Sequence, residues 1–190
     1  MIKSQENKLS KAINFAISAH EGAMRKGRKI PYIIHPLEVL CIAATMTSDT
    51  DVLCASVLHD VLEDTDATAQ DIKENFGQKI LDLVAAESEY KAKDKPACET
   101  WKQRKTEALR KLMLSDDKNI KIIALADKLS NMRSLYCDYQ TEGENIWLKF
   151  NQRQKSEQKW YYDSMASALK ELKDTLAYKE YTKLLKQVFD

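Results

Sequence analysis

The chain has 190 residues, 44% of them hydrophobic, so it can bury a sizeable core as one domain. Its 30 basic and 29 acidic residues give a formal charge of +1, which provides no overall field for a polyanion and argues against nucleic acid as a partner. It contains only four glycines and three prolines, a composition typical of long helices and therefore of an all-α fold.

The sequence begins with a polar stretch rather than an apolar signal core, and nowhere do 18 apolar residues follow one another. We therefore expect neither export by that route nor a membrane partner. The four cysteines, Cys41, Cys54, Cys98 and Cys137, form no CxxC pair, and the first two lie within apolar helical runs. These features favour a reduced, cytoplasmic setting and leave the oligomeric state open.

The first predicted helix runs from Leu9 to His20, with apolar residues recurring every three or four positions. It carries His20 on its buried stripe. A lone histidine there is more often a core residue with satisfied hydrogen bonds than a metal ligand, and we interpret His20 in that way.

A basic loop, residues 24–32, leads into the second predicted helix. Such a run is often only a solvated connection. Here, however, it ends at His35-Pro36, and proline suits the first turn of a helix. His35 is thus expected at a helix start beside a group of cations, which is a reasonable place for a metal ligand near bound phosphate.

The hexapeptide His59-Asp60-Val61-Leu62-Glu63-Asp64 contains four groups able to bind a metal or move a proton within little more than one helical turn. In a continuous helix, Glu63 would lie below His59, and Asp64 below Asp60. Acids at a helix end are also commonly solvated or capping groups. Adjacent residues diverge by about 100° around a helix, so His59 and Asp60 would need further ligands from elsewhere to hold one ion.

Capping residues predict the helices on either side of a long connection. Asp49 or Thr50 can cap the helix that leads into the hexapeptide, and Thr68 with Asp71 resembles a capping box for a helix that Gly77 ends. An apolar helix follows over residues 80–86. Residues 87–100 are charged, contain a proline and indicate a mobile connection of the kind that often forms a lid.

The strongest helical pattern follows a predicted helix from Trp101 to Leu114 and a possible cap at residues 115–117. Its apolar stripe is formed by Ile122, Leu125, Ala126, Leu129, Met132 and Tyr136. Asp127 lies off this stripe, in surroundings where a buried carboxylate needs a cation or hydrogen-bond donors. A structural salt bridge would satisfy Asp127 as well as a metal would. The aromatic and amphipathic stretch after residue 140 predicts two C-terminal helices that cover the core.

The order of the candidate ligands, His35, then His59-Asp60, then Asp127, resembles the HD-domain metal-dependent phosphohydrolases. Six stretches in the same order, over about residues 9–137, narrow the resemblance to the hydrolase domain of RelA/SpoT homologues. They are Ala19-His20-Glu21-Gly22, Arg25-Lys26-Gly27, Pro31-Tyr32-Ile33-Ile34-His35-Pro36-Leu37-Glu38-Val39, His59-Asp60-Val61-Leu62-Glu63-Asp64-Thr65, Phe76-Gly77 and Leu125-Ala126-Asp127-Lys128-Leu129-Ser130-Asn131-Met132-Arg133.

The resemblance implies an HD-domain bundle of about eight to ten helices, forming a single domain over residues 1–190 with helices from about 144 to 190 packed on the core. It implies a small alarmone hydrolase that removes the 3′-pyrophosphate of guanosine 3′,5′-bispyrophosphate (ppGpp), leaving GDP or GTP. The implied cofactor is one Mn²⁺, although Fe²⁺ or Zn²⁺ would also suit imidazole and carboxylate ligands. The implied site residues are His35, His59, Asp60 and Asp127 for the metal, Glu63 and Asp64 for catalysis, and Arg25, Lys26, Asn131 and Ser134 for the nucleotide.

The chain departs from the family pattern at positions that we expect to affect the substrate more than the metal. The family commonly has lysine three residues before the Asp ligand and histidine before the Asn, where this chain has Ala124 and Ser130. Its usual Gly-Val-Thr-Lys stretch is replaced by residues 86–91. Other substrates, namely (p)ppApp, NADPH or nucleoside monophosphates, therefore stay open. A non-catalytic nucleotide sensor is a further alternative, but it would not need Glu63 and Asp64.

Overall fold

The computed structural model describes residues 7–25, 27–88 and 96–190. These residues form ten α-helices and two 3-10 helices and contain no β-strand, only an isolated bridge between Met24 and Pro31. The prediction of an all-α helical bundle is confirmed. The α-helices are α1 (Lys8–Ala19), α2 (Ile34–Ala43), α3 (Thr50–Leu58), α4 (Val61–Asp64), α5 (Ala69–Phe76), α6 (Gln78–Glu87), α7 (Ala97–Leu114), α8 (Lys118–Glu142), α9 (Lys155–Ala168) and α10 (Leu176–Phe189), and the 3-10 helices are Gly143–Lys149 and Lys170–Leu172.

Capping interactions begin several helices where the sequence predicts them. The carboxylates of Asp49 and Asp117 each accept a hydrogen bond from the amide two residues on, at the starts of α3 and α8. Thr68 and Asp71 form a reciprocal capping box at α5. Gly77, with a φ of 91°, separates α5 from α6 in a conformation that residues with a Cβ rarely adopt.

Helix α8 is the centre of the bundle and contacts α2, α3, α6 and α10. The predicted apolar stripe is largely buried, but so are residues outside it, including Lys121, Asp127 and Ser130. A helix buried on all faces lies inside a core rather than on its surface. Polar groups on α8 are therefore held in protein interior and need partners there.

The C-terminal helices α9 and α10 pack on the same core as the earlier helices, with a 3-10 helix between them that the sequence did not predict. Trp147 stacks on Phe189 with their ring centroids 5.3 Å apart, and Tyr162 lies 5.9 Å from the same ring. The aromatic stretch after residue 140 thus serves packing, as predicted.

The predicted connection over residues 87–100 is too long. Glu87 is the last residue of α6, and α7 begins at Ala97, directly after Pro96. Proline is well tolerated at a helix start because its missing N–H has no partner there in any case. Residues 89–95, on which the interpretation as a lid depends, lie outside the described residues.

Candidate metal centre and adjoining cavities

Four predicted ligands come together from three parts of the fold. His35 is the second residue of α2, His59 and Asp60 lie between α3 and α4, and Asp127 lies in the middle of α8. Nε2 of His35 is 3.1 Å from Oδ1 of Asp127 and 3.5 Å from Oδ2 of Asp60. Nε2 of His59 is 3.0 Å from the same Asp60 oxygen and 3.7 Å from the same Asp127 oxygen.

The hexapeptide is not one continuous helix. Helix α3 ends at Leu58, and α4 begins at Val61 after a turn through His59 and Asp60. The amide of Asp64 donates to the carbonyl of Asp60 as predicted for helical spacing, but the amide of Glu63 donates to that same carbonyl instead of pairing with His59. This turn allows the side chains of two adjacent residues to reach one point, which a continuous helix would oppose.

Hydrogen bonds fix which ring nitrogen of each histidine carries the proton. The Ser130 hydroxyl donates to Oε2 of Glu38 at 2.7 Å, so its oxygen accepts from Nδ1 of His35 at 2.8 Å. Nδ1 of His59 lies 2.9 Å from the backbone carbonyl oxygen of Ser56 and must also be a donor. When the imidazoles are neutral, as a metal ligand must be, both Nε2 lone pairs consequently face the carboxylates of Asp60 and Asp127.

This arrangement fits a bound divalent cation. Lone pairs and carboxylate oxygens at these distances repel one another unless a positive charge lies between them. Nε2 of His59 is buried and makes no hydrogen bond. One ligand atom from each of His35, His59 and Asp127 lies within 4.8 Å of the others. A mixed imidazole and carboxylate set suits a first-row divalent ion such as Mn²⁺, Fe²⁺ or Zn²⁺.

The charges of these groups are strongly coupled. Burial alone would lower the pKa of His59, but the carboxylates of Asp60 and Asp127 raise it well above its ordinary value. Burial would likewise raise the pKa of Asp127, but the ammonium of Lys128 and the two imidazoles hold it well below its ordinary range. The same negative potential that favours a cationic imidazole also favours a metal ion.

Asp127 makes a salt bridge, one of the two alternatives that the sequence left open, and it also faces both histidines, as the other alternative, a metal ligand, would. Its side chain is 8% exposed, and its Oδ2 forms an ion pair with Lys128. Its Oδ1 accepts a hydrogen bond from the amide of Asn131 at 2.6 Å and faces both imidazoles. One oxygen is thus neutralised by the protein while the other is directed into the site.

The four residues open into a cavity of about 210 Å³, which we call the metal cavity. Its further lining consists of acids and cations, namely Glu63, Asp64, Glu87, Arg25, Lys105 and Lys128, together with Tyr32 and Asn131. The predicted catalytic pair therefore lies on the wall of the same cavity as the histidines. Asp64 is exposed and Glu63 is half-buried.

Tyr32 joins the two kinds of acid in the metal cavity. Its hydroxyl lies 2.6 Å from Oδ2 of Asp60 and 3.1 Å from Oδ2 of Asp64. Burial and the nearby carboxylates raise its pKa far above the ordinary value, so it stays protonated and can donate. Tyr32 lies within one of the motifs identified in the sequence, but no role was predicted for it. The neighbouring residues do not indicate which side chains its hydroxyl contacts.

A second cavity, which we call the arginine cavity, adjoins the first. Arg25 and Asn131 line both cavities, and the guanidinium of Arg25 donates to Oδ1 of Asn131 at 2.6 Å. Ser134 lines the second cavity, where its carbonyl accepts from Arg28 at 2.8 Å. Three of the four predicted nucleotide contacts are thus brought together, whereas Lys26 lies outside the described residues.

A model of the HD domain matches residues 12–156. The chain belongs to the HD-domain family. It is 39% identical over 135 residues to the bifunctional (p)ppGpp synthase/hydrolase SpoT of Escherichia coli (strain K12), an alignment that covers 70% of this chain and 19% of that protein. It is 40% identical over 122 residues to the guanosine-3′,5′-bis(diphosphate) 3′-pyrophosphohydrolase of Vibrio cholerae, covering 63% of this chain and 17% of that protein. The resemblance to RelA/SpoT homologues is confirmed, and this HD domain spans about a fifth of the length of the curated relatives it matches.

The fold of this HD domain is also found among solved structures. A metazoan orthologue of SpoT, described as hydrolysing ppGpp and playing a role in starvation responses, has a TM-score of 0.75 at 24% identity, with 95% of this chain and 94% of that chain covered. This likeness shows a shared fold that includes the C-terminal helices. In keeping with the HD-domain family, the site has a possible triad for a divalent metal.

Ser130 corrects our expectation that departures from the family pattern concern the substrate more than the metal. Its hydroxyl links His35 to Glu38, and Oε1 of Glu38 accepts from Arg133 at 3.0 Å. Arg133 in turn donates twice to Glu180 of α10, at 2.7 and 2.8 Å. A continuous hydrogen-bonded chain therefore runs from a metal-facing imidazole through α8 and α2 to the last helix.

His20 was expected to be a core residue with satisfied hydrogen bonds, and the second half of this prediction is wrong. The residue is 4% exposed, but neither ring nitrogen has a hydrogen-bond partner. Its ring packs at 4.9 Å from that of Tyr32, and burial lowers its pKa. A neutral His20 thus supports Tyr32 by packing.

Among the residues that the structure describes, no helix is both long and apolar enough to cross a bilayer.

Proposed function

We propose that this HD domain is a metal-dependent hydrolase that removes the 3′-pyrophosphate of an alarmone nucleotide, converting (p)ppGpp to GDP or GTP and pyrophosphate. The observation that carries the proposal is the convergence of two imidazole lone pairs on two carboxylates, with Glu63 and Asp64 on the wall of the same cavity. The activities for which the relatives from Escherichia coli and Vibrio cholerae are named support it.

His35, His59, Asp60 and Asp127 would hold one divalent ion, which we propose to be Mn²⁺. The donor set suits the ion, and the orphaned Nε2 of His59 provides a ligand that no protein group uses. When bound, the ion supplies Lewis acidity, polarising a phosphoryl oxygen and making water a stronger acid.

The acids of the metal cavity would manage the protons of the reaction. Hydrolysis breaks the bond between phosphorus and the 3′ oxygen, so one proton must leave the attacking water and one must reach the departing oxygen. Glu63 and Asp64 provide two carboxyl groups for these transfers. Tyr32 holds Asp64 at a fixed place relative to Asp60, because its hydroxyl reaches both carboxylates.

The arginine cavity would receive the nucleoside. Arg25 offers a planar guanidinium for stacking and for hydrogen bonds, and Asn131 holds it at the boundary between the two cavities. Ser134 lies one turn further along α8, and Lys26 would complete the nucleotide contacts. In this orientation the 3′-pyrophosphate enters the metal cavity, where Lys105 and Lys128 add positive charge.

Purified protein incubated with Mn²⁺ and ppGpp tests the proposal. We expect GDP and pyrophosphate in equal amounts, separated and quantified by anion-exchange chromatography. A parallel panel of ppApp, NADPH and nucleoside monophosphates identifies other substrates of the site. Release of orthophosphate from monophosphates with no pyrophosphate from ppGpp would reject the proposal, and nucleotide binding without any product would indicate a sensor.

A further inference from the structure

A third cavity, of about 220 Å³, opens between α6, α7, α8 and α9. We call it the alanine cavity because four alanines, Ala85, Ala86, Ala108 and Ala124, form much of its wall. It shares Glu87 and Lys128 with the metal cavity, just as the arginine cavity shares Arg25 and Asn131 with it. The metal cavity therefore lies between the other two.

Helix α8 runs along all three cavities and gives their order. Ser134 lines the arginine cavity, Asp127 the metal cavity and Ala124 the alanine cavity. At about 1.5 Å of rise per residue, the distance along the helix from Ala124 to Ser134 is about 15 Å. A nucleotide with its nucleoside at the Ser134 end would thus direct the far end of its pyrophosphate towards Ala124.

The alanine cavity has groups that suit a phosphate. Helix α7 carries Lys105 on the wall of the metal cavity and Lys111 on the wall of the alanine cavity. The two lysines are six residues apart and diverge by about 120° around the helix, with Ala108 midway between them. Lys128 lies between the two cavities. The short side chains of Ala108 and Ala124 leave open the space between these cations.

We propose that the alanine cavity receives the distal phosphate of the substrate's 3′-pyrophosphate, with Lys111 as its principal cation. This inference rests on the proposed function, and it makes the cavity the feature that selects a pyrophosphate over a monophosphate. The bond between the proximal phosphorus and the 3′ oxygen breaks, so both phosphates leave together as pyrophosphate. The cavity is then also the binding site for the distal phosphate of that product.

Glu87 lies where the two cavities meet, so its carboxyl group must tolerate a nearby phosphate. Burial raises its pKa to about 7. A protonated carboxyl group can donate a hydrogen bond to a phosphate oxygen, whereas a carboxylate would repel it. About half of these carboxyl groups are protonated at pH 7, so Glu87 repels an anionic neighbour less than an ordinary glutamate would.

The test compares Lys111→Gln with Arg110→Gln in the Mn²⁺-loaded protein. Arg110 is the matched control because it is an exposed cation on the same helix that pairs with Glu107 and lines none of these cavities. We expect Lys111→Gln to raise the KM for ppGpp and the inhibition constant of pyrophosphate about tenfold, the range for one lost charge-assisted contact. The inhibition constants of GDP and of guanosine 5′-diphosphate 3′-monophosphate, neither of which has a distal 3′ phosphate, should stay unchanged.

A second variant and a binding measurement separate the possible outcomes. Ala108→Leu, checked for an intact fold by circular dichroism, should weaken pyrophosphate binding in calorimetry while leaving GDP binding unaltered, because it fills the cavity. Equal pyrophosphate inhibition in the wild type, Lys111→Gln and Ala108→Leu would overturn the inference even if ppGpp is hydrolysed. If the wild type releases no pyrophosphate from ppGpp, the proposed function itself fails.

Discussion

The hydroxyl oxygen of Ser130 lies 2.8 Å from Nδ1 of His35 and is completely buried. We expect Ser130→Ala to weaken metal binding about 10- to 100-fold, because the imidazole loses the acceptor that fixes its tautomer and orientation. Binding is measured by titrating the metal-free protein with Mn²⁺ in a calorimeter. Ser56→Ala is the matched control, since this equally buried hydroxyl donates to the carbonyl of Val52 within its own helix. Equal metal affinity in the two variants would contradict the role of Ser130.

Substitutions of the proposed metal ligand Asp127 and of the proposed acid Glu63 should have different effects on metal content. Asp127→Asn should remove the metal and the activity together, because the site loses a charged ligand. Glu63→Gln should keep the metal, while kcat falls by roughly 10² to 10⁴, as is usual for a positioned acid or base. Metal content by mass spectrometry and steady-state kinetics are the two measurements. Loss of metal in both variants would show that these roles are not distinct.

Removing the hydroxyl group of Tyr32 tests whether its contacts with Asp60 and Asp64 matter for catalysis. We expect Tyr32→Phe to fold normally and to lower kcat about tenfold with little change in KM, because Asp64 loses the hydrogen bond that places it. Tyr139→Phe, which removes a surface hydrogen bond to Glu144, should leave both constants unchanged. A rise in KM with unaltered kcat would indicate that Tyr32 contacts the substrate rather than the acid.

The raised pKa of Glu87 predicts how the stability of the metal-free protein depends on pH. Its pKa is raised from 4.5 to about 7, chiefly by burial, so the folded state holds this proton more tightly than the unfolded chain. The stabilisation is fully present below pH 4.5 and is lost as the pH rises through 7. Relative to wild type, Glu87→Gln should therefore gain about 1 to 3 kcal/mol of unfolding free energy between pH 4.5 and pH 8. Urea unfolding in the presence of a chelator measures this difference. The same change of unfolding free energy with pH in both proteins would contradict the prediction.

Local sequence signals were sufficient for much of the helical framework. The capping box of Thr68 and Asp71 and the glycine at position 77 act within a few residues of themselves, so they could be recognised without the fold. The start of α7 was placed too late because the four residues after Pro96, which form the first turn of the helix, are too few to show an apolar periodicity.

The candidate site was accessible to sequence reasoning only in part. The predicted ligands and acids share motifs with a known family, and these motifs carry their order along the chain. The roles of Ser130, Tyr32 and Glu87 depend on contacts between different elements, as between α8 and α2, and no spacing along the chain encodes them. The unpaired nitrogens of His20 have the same origin, because burial was predictable but the chemistry of its neighbours was not.

Arg133 connects the C-terminal helix to the hydrogen bonds that orient His35 in the metal centre. Its guanidinium donates hydrogen bonds to both Glu180 and Glu38. Glu38 also accepts from the hydroxyl of Ser130 and so orients that hydroxyl towards His35. Displacing α10 would remove Glu180 from Arg133 and so loosen the hydrogen-bonded chain that places Glu38, Ser130 and the imidazole. The affinity for the metal ion should therefore be measured, together with yield and solubility, for any variant that carries a fusion or a deletion at its carboxy terminus.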